Sequence, residues 1–117
     1  MRRSRVAVVE MPEFVSRAIK LLEDSDRAML IDYLAANPES GVLLQGTGGV
    51  RKLRWARPRM GKSGGLRVIY YFHSYAMPLF LIAVFAKNEM GNIGFAARNA
   101  LGRMVDDLVD SYTGRKQ

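Results

Sequence analysis

The sequence predicts an α+β domain: a small antiparallel sheet with an N-terminal helical hairpin and a C-terminal helix, in the order β-α-α-β-β-β-α. Three observations carry that expectation. Apolar residues recur at three- and four-residue spacing over residues 12–36 and again over 92–112, the signature of helices packed on one side. Residues 50–57 and 66–73 instead alternate with period two, and Leu79 to Ala86 is apolar throughout, which suits two half-covered strands and one central strand. No internal repeat or low-complexity segment interrupts the order, so residues 1–117 are expected to form one domain, with its helices on one face of the sheet.

Taken in order, Arg5 to Glu10 is short and β-branched, and Pro12 then fixes the first turn of a helix while forcing Met11 to be extended. From Pro12 to Leu22, Phe14, Val15, Ala18, Ile19 and Leu22 form an apolar stripe, opposite Glu13, Arg17 and Lys20. Asp24 or Ser25 is a natural N-cap for a second helix that runs through Met29, Leu30, Tyr33 and Leu34 and stops at Asn37-Pro38. Glu39 to Gly49 is too rich in glycine for regular structure and is expected to be a loop with a brief apolar insert.

Three strands should follow as a meander. In Val50 to Arg57, Leu53 and Trp55 share one face and Lys52, Arg54 and Ala56 the other; Pro58 to Gly65 is a basic hairpin loop. Leu66 to His73 sets Leu66, Val68, Tyr70 and Phe72 against Arg67, Ile69, Tyr71 and His73. The strand Leu79 to Ala86 delivers Lys87 at its end. The tail, Asn92 to Tyr112, carries an apolar stripe that includes Leu101, Met104, Val105 and Leu108, with Asp106, Asp107 and Asp110 outside it.

Charge points to a partner. The chain has 18 Lys and Arg against 11 Asp and Glu, a net charge of +7, and between Glu39 and Glu89 there is no acid at all while eight basic residues occur. Such an imbalance favours a polyanion, an anionic surface or an acidic protein. There is no cysteine, which excludes disulfides, cysteine-ligated zinc and thiol nucleophiles and fits a cytoplasmic location. The apolar run near the N-terminus is too short for a secretory signal, and the most hydrophobic segment is about half the length that a membrane-spanning helix requires, so no membrane association is expected.

Lys52 and Arg54 point to one side of their strand, Arg67 can join them if the strand register agrees, and Lys87 comes from the next strand. Basic side chains on a strand's solvent face are ordinary; it is the acid-free window that turns this one toward binding. Four cations bordered by Tyr71 and His73 suit an RNA strand, with cations holding phosphates and rings stacking on bases. Arg51, Arg57, Arg59 and Lys62 would add phosphate contacts. Were the site catalytic, no metal or other cofactor is needed, because RNA carries its own nucleophile in the 2'-hydroxyl. Neighbouring cations favour the neutral form of a lysine, so Lys52 or Lys87 can act as base or acid while Arg54 and Arg67 stabilise a phosphorane. His73 is the single histidine, which excludes a two-histidine mechanism within one chain.

Three stretches together, GVLLQGTGGVRKLRWA, GKSGGLRVIYYF and LFLIAVFAKNE, closely resemble the HigB-type toxins of the RelE/ParE superfamily, the toxin halves of type II toxin-antitoxin modules. The resemblance covers roughly Val6 to Glu89. It implies a microbial-RNase-like fold and an mRNA interferase that cleaves messages in the ribosomal A site of the 30S subunit. It also implies a cognate HigA-like helix-turn-helix antitoxin. The superfamily's basic positions fall on Lys52, Arg54, Arg67 and Lys87. Where RelE has a second arginine and then a catalytic tyrosine, this chain has Asn88 and GNIGF, so that role passes to Tyr71, His73 or a ribosomal group. The alternatives on the same scaffold are a ParE-like poison of DNA gyrase and a non-catalytic RNA-binding module.

Overall fold

The structure, a computed structural model, describes residues 4–56, 65–87 and 95–114. Its elements are β1 (Val8–Glu10), α1 (Pro12–Leu21), α2 (Asp24–Ala36), β2 (Val42–Leu43), β3 (Val50–Trp55), β4 (Leu66–Tyr71), β5 (Leu79–Ala86) and α3 (Phe95–Thr113). The sheet has five strands in the order β1-β5-β4-β3-β2, antiparallel except for β1, which runs parallel to β5. The fold is α+β as expected, and three details correct the expectation.

The sheet is mixed rather than antiparallel, because Val8 to Glu10 pair in parallel with Leu79 to Leu81. One strand more is present than the sequence suggested: Val42 and Leu43, inside the expected loop, pair with Lys52 and Arg51. Of the four glycines that argued against structure there, Gly41 precedes this pair and the other three follow it. Gly46, Gly48 and Gly49 take positive φ of 78°, 76° and 121°, and they reverse the chain between β2 and β3. Buried Thr47 closes that turn, its Oγ1 donating to the Leu44 carbonyl at 2.6 Å and accepting from the Val50 amide at 3.0 Å.

The third correction concerns the layers. The helices do not share one face. Phe14 and Ala18 of α1, with Leu30 and Leu34 of α2, pack on Leu66, Val68, Tyr70, Leu79, Leu81 and Val84. On the opposite face Val105 of α3, flanked by half-buried Leu101, Met104 and Leu108, packs on Val50, Ile69, Tyr71, Phe80, Ile82 and Ala83. A strand covered on both sides must be apolar on both sides, and β5 is.

Local chemistry sets the boundaries. Pro12 opens α1, and Met11 before it is extended at φ −73°, ψ 157°, its amide donating to the Leu81 carbonyl at 2.9 Å. Helix α2 begins at Asp24 with Glu23 as N-cap, and Arg27 ties it to β1 by a 2.6 Å ion pair with Glu10. After α2 the chain is pinned by Tyr70, whose buried hydroxyl donates to the Pro38 carbonyl and accepts from the Gly41 amide, both at 2.8 Å.

The β4–β5 ladder contains one irregularity that positions the site. Ile69 pairs with Ala83 and Tyr70 with Leu81, so Ile82 is an extra residue in β5. Before it, odd-numbered Leu79 and Leu81 face α1 and α2; after it, Val84 does, and Phe85 turns toward the α3 side.

Candidate nucleic-acid interface

The registers arrange the α3 side of the sheet in rows. Val50, Tyr71 and Phe80 form one, Lys52, Ile69 and Ala83 the next, and Arg54, Arg67 and Phe85 the last. The apolar cluster beneath α3 occupies the first row and the Ile69–Ala83 part of the second. Its far boundary is the third row, where Phe85 is only half-buried. Arg54 is exposed there, Arg67 and Lys52 are half-exposed, and exposed Lys87 follows Ala86, two residues beyond Phe85.

Arg54 and Arg67 are direct cross-strand partners on the same face. Like charges placed opposite each other destabilise a sheet by about 0.2–1 kcal/mol. Among the described residues the ion pairs are Arg5–Asp32, Arg17–Glu13 and Arg27–Glu10, so none of Lys52, Arg54, Arg67 or Lys87 has an acidic partner there. A strip of unneutralised cations on one sheet face is complementary to a polyanion, and its guanidinium forks match phosphate oxygens.

A further cation arrives from α1. Strand β1 pairs only with Leu79 to Leu81, and among the described residues the second half of β5 has no strand neighbour on that edge. There the Arg17 guanidinium lies over the Phe85 ring, Cζ 4.3 Å from its centroid, while its Nε donates to Glu13 at 2.5 Å. The spacing of residues in α1 gave Arg17 only an outward face; no sequence signal links it to the third row.

The other expected site residues are placed elsewhere. Arg51 is on the opposite face with Leu53 and Trp55, where its Nη1 donates to the carbonyls of Glu39 at 3.0 Å and Gly41 at 2.8 Å. It braces the chain between α2 and β2. Tyr71 is buried in the first row, four residues along β4 from Arg67, roughly 13 Å at strand rise. Its hydroxyl shares a 3.0 Å hydrogen bond with Nδ1 of His73, in an open groove of about 450 Å³ lined also by Asp106 and Asp110. Burial, with a smaller contribution from the Asp106 carboxylate, raises the Tyr71 phenol above the ordinary tyrosine range. Asp106 and Asp110, expected on the outer side of the last helix, thus face this groove. Tyr71 and His73 form a separate, acid-flanked pair rather than the border of the cationic strip. Arg57, Arg59 and Lys62 lie outside the described residues.

No protein-family model matches the chain. What the fold brings together is Lys52, Arg54 and Arg67, with Lys87 at the end of the adjoining strand and Arg17 as an addition. Among the described residues no helix is long and apolar enough to cross a membrane.

Proposed function

We propose that this protein is the toxin of a type II toxin-antitoxin module, a ribosome-dependent endoribonuclease that binds messenger RNA on the Arg54–Arg67 strip and arrests translation in the cytoplasm. The observation that carries this reading is the direct cross-strand pairing of Arg54 with Arg67 on the part of the sheet beyond the apolar cluster under α3. The sequence resemblance to HigB-type toxins supplies the ribosome, the message and a HigA-like helix-turn-helix antitoxin as partners.

The chemistry is in-line attack of a ribose 2'-oxygen on the adjacent phosphorus. A base removes the 2'-hydroxyl proton, the new P–O2' bond forms, the P–O5' bond breaks, and an acid protonates the departing 5'-oxygen. The products are a 2',3'-cyclic phosphate and a 5'-hydroxyl. Arg54 and Arg67 would neutralise the charge that builds on the phosphorane oxygens. Lys52, one row away, and Lys87, at the strand end, would exchange the two protons. A charged strip of this kind also attracts an acidic antitoxin segment and speeds its association.

Purified ribosomes programmed with a defined message test the reading. The wild-type protein should produce discrete new 5' ends, and folded Lys52→Ala, Arg67→Ala and Lys87→Ala variants should lose most of that activity. Full cleavage by all three would remove the site. The separation of Tyr71 and His73 from the strip favours one second reading, a module that binds RNA without cutting it; ribosome binding with no new ends would select it. Intact messages accompanied by DNA damage in cells would instead select a gyrase poison.

A further inference from the structure

We propose that Arg17, held over the ring of Phe85, is a stacking platform that takes one base of a single-stranded RNA at the end of the Arg54–Arg67 row. The inference rests on the reading that RNA lies on this face, and it adds a residue outside the strands. Phe85 is the direct partner of Arg67, which is the direct partner of Arg54, so the platform continues one line across three strands and onto α1.

The local chemistry favours a base over a second phosphate. The guanidinium carbon lies over Phe85, 4.3 Å from the ring centroid, and Nε is engaged by Glu13 at 2.5 Å. The pairing with a carboxylate offsets the charge of Arg17 and weakens its pull on phosphate, and it engages the guanidinium at Nε. About a third of the Arg17 side chain is solvent-exposed, 35%. Guanidinium planes are established stacking surfaces for unpaired bases, and an aromatic ring beneath fixes the plane in advance. Neighbouring strands are about 4.8 Å apart. A backbone held by Arg67 therefore leaves its next base within reach of Arg17.

Binding of a fluorescein-labelled, single-stranded decaribonucleotide, followed by anisotropy over a range of salt concentrations, tests the platform. Arg17→Lys keeps the charge, the Glu13 partner and the helix propensity but removes the plane. It should weaken binding about fivefold or more with an unchanged salt slope. In a series of decamers carrying one abasic site each, the wild-type protein should lose a similar factor at one position. Arg17→Lys should show no added loss there. If Arg17→Lys binds every decamer as the wild type does, the platform is wrong. Arg54→Ala and Arg67→Ala in the same titration separate the two failures: if they too bind normally, the RNA reading of the whole face falls; if they weaken binding while Arg17→Lys does not, only the platform falls. Thermal melting of each variant identifies a merely structural role, which would lower Tm and leave affinity intact.

Discussion

Replacing Arg54 with glutamine should stabilise the fold and weaken RNA binding in the same protein. Arg54 and Arg67 are directly opposed, and in such a pair the Cβ atoms are about 4.5–5.5 Å apart. Two unit charges at roughly 6 Å repel by about 0.7 kcal/mol in water. Long side chains splay apart, which brings the expected relief to about 0.5 kcal/mol, inside the range for cross-strand pairs. With an unfolding entropy of roughly 2.1 cal/mol/K per residue, the 117 residues give about 0.25 kcal/mol/K. The melting temperature should therefore rise by about 2 °C. Because the gain is Coulombic, it must fade with salt: the screening length is about 30 Å at 0.01 M and about 3 Å at 1 M. Calorimetry of wild type and Arg54→Gln at those two ionic strengths measures it. A Tm that is unchanged or lower at low salt, or a gain that survives at high salt, would refute the claim that two uncompensated cations face each other across β3 and β4.

Tyr70→Phe should cost about 2–3 kcal/mol in urea unfolding, because it leaves the Pro38 carbonyl and the Gly41 amide without the partner they share inside the fold. Gly41→Ala should cost about 1–3 kcal/mol, since a Cβ there would meet Tyr70 Cε1 and Oη at 2.9 Å and the Lys52 carbonyl at 3.0 Å; equal urea midpoints would show that the Pro38–Gly41 segment is not held as described. The phenols of Tyr70 and Tyr71 are both raised, in each case first by burial. The unfolded chain then loses those protons first, so stability is intact below pH about 10 and declines as pH climbs from there toward the raised folded values. Urea titrations at increasing alkaline pH should show that decline, and Tyr71→Phe should make it shallower; an identical alkaline limb in the variant would count against the burial of Tyr71.

Much of the fold and of the strip was legible in local periodicity. The stripe Phe14, Ala18, Leu22 is the core side of α1, and the alternation of residues 50–55 and 66–71 already divides Lys52, Arg54 and Arg67 from Leu53, Trp55 and Val68. What local pattern cannot give is pairing at a distance. Strand β2 is two residues long and exists because the Thr47 turn folds it onto β3, and the parallel partner of β1 arrives some seventy positions later. The two-sided packing does have a local signal: the unbroken apolar run of β5 requires cover on both faces. The same period-two alternation places Arg51 with Leu53 and Trp55, away from Lys52, although the composition of a basic stretch suggests a single patch. Tyr71 shares a sheet face with Arg67 as the alternation says, yet sharing a face is not proximity; four residues of strand separate them. Arg17 reaches Phe85 around a sheet edge, a relation fixed only by tertiary structure.

The unpaired Ile82 acts as a parity bit for everything that follows it in β5. A strand is a binary ribbon, and one residue more or less exchanges its two sides. Deleting position 82 would restore regular pairing, with Leu81 and Ala83 adjacent opposite Tyr70 and Ile69, and would leave Val84 and Phe85 on their present sides. The extra residue is instead the reason that odd-numbered positions face α1 and α2 before it and an even-numbered position does so after it, so the phase of β5 changes at one point in the strand. A residue added or lost between Ile82 and Phe85, with the irregularity kept, is what would exchange the two sides of the strand end.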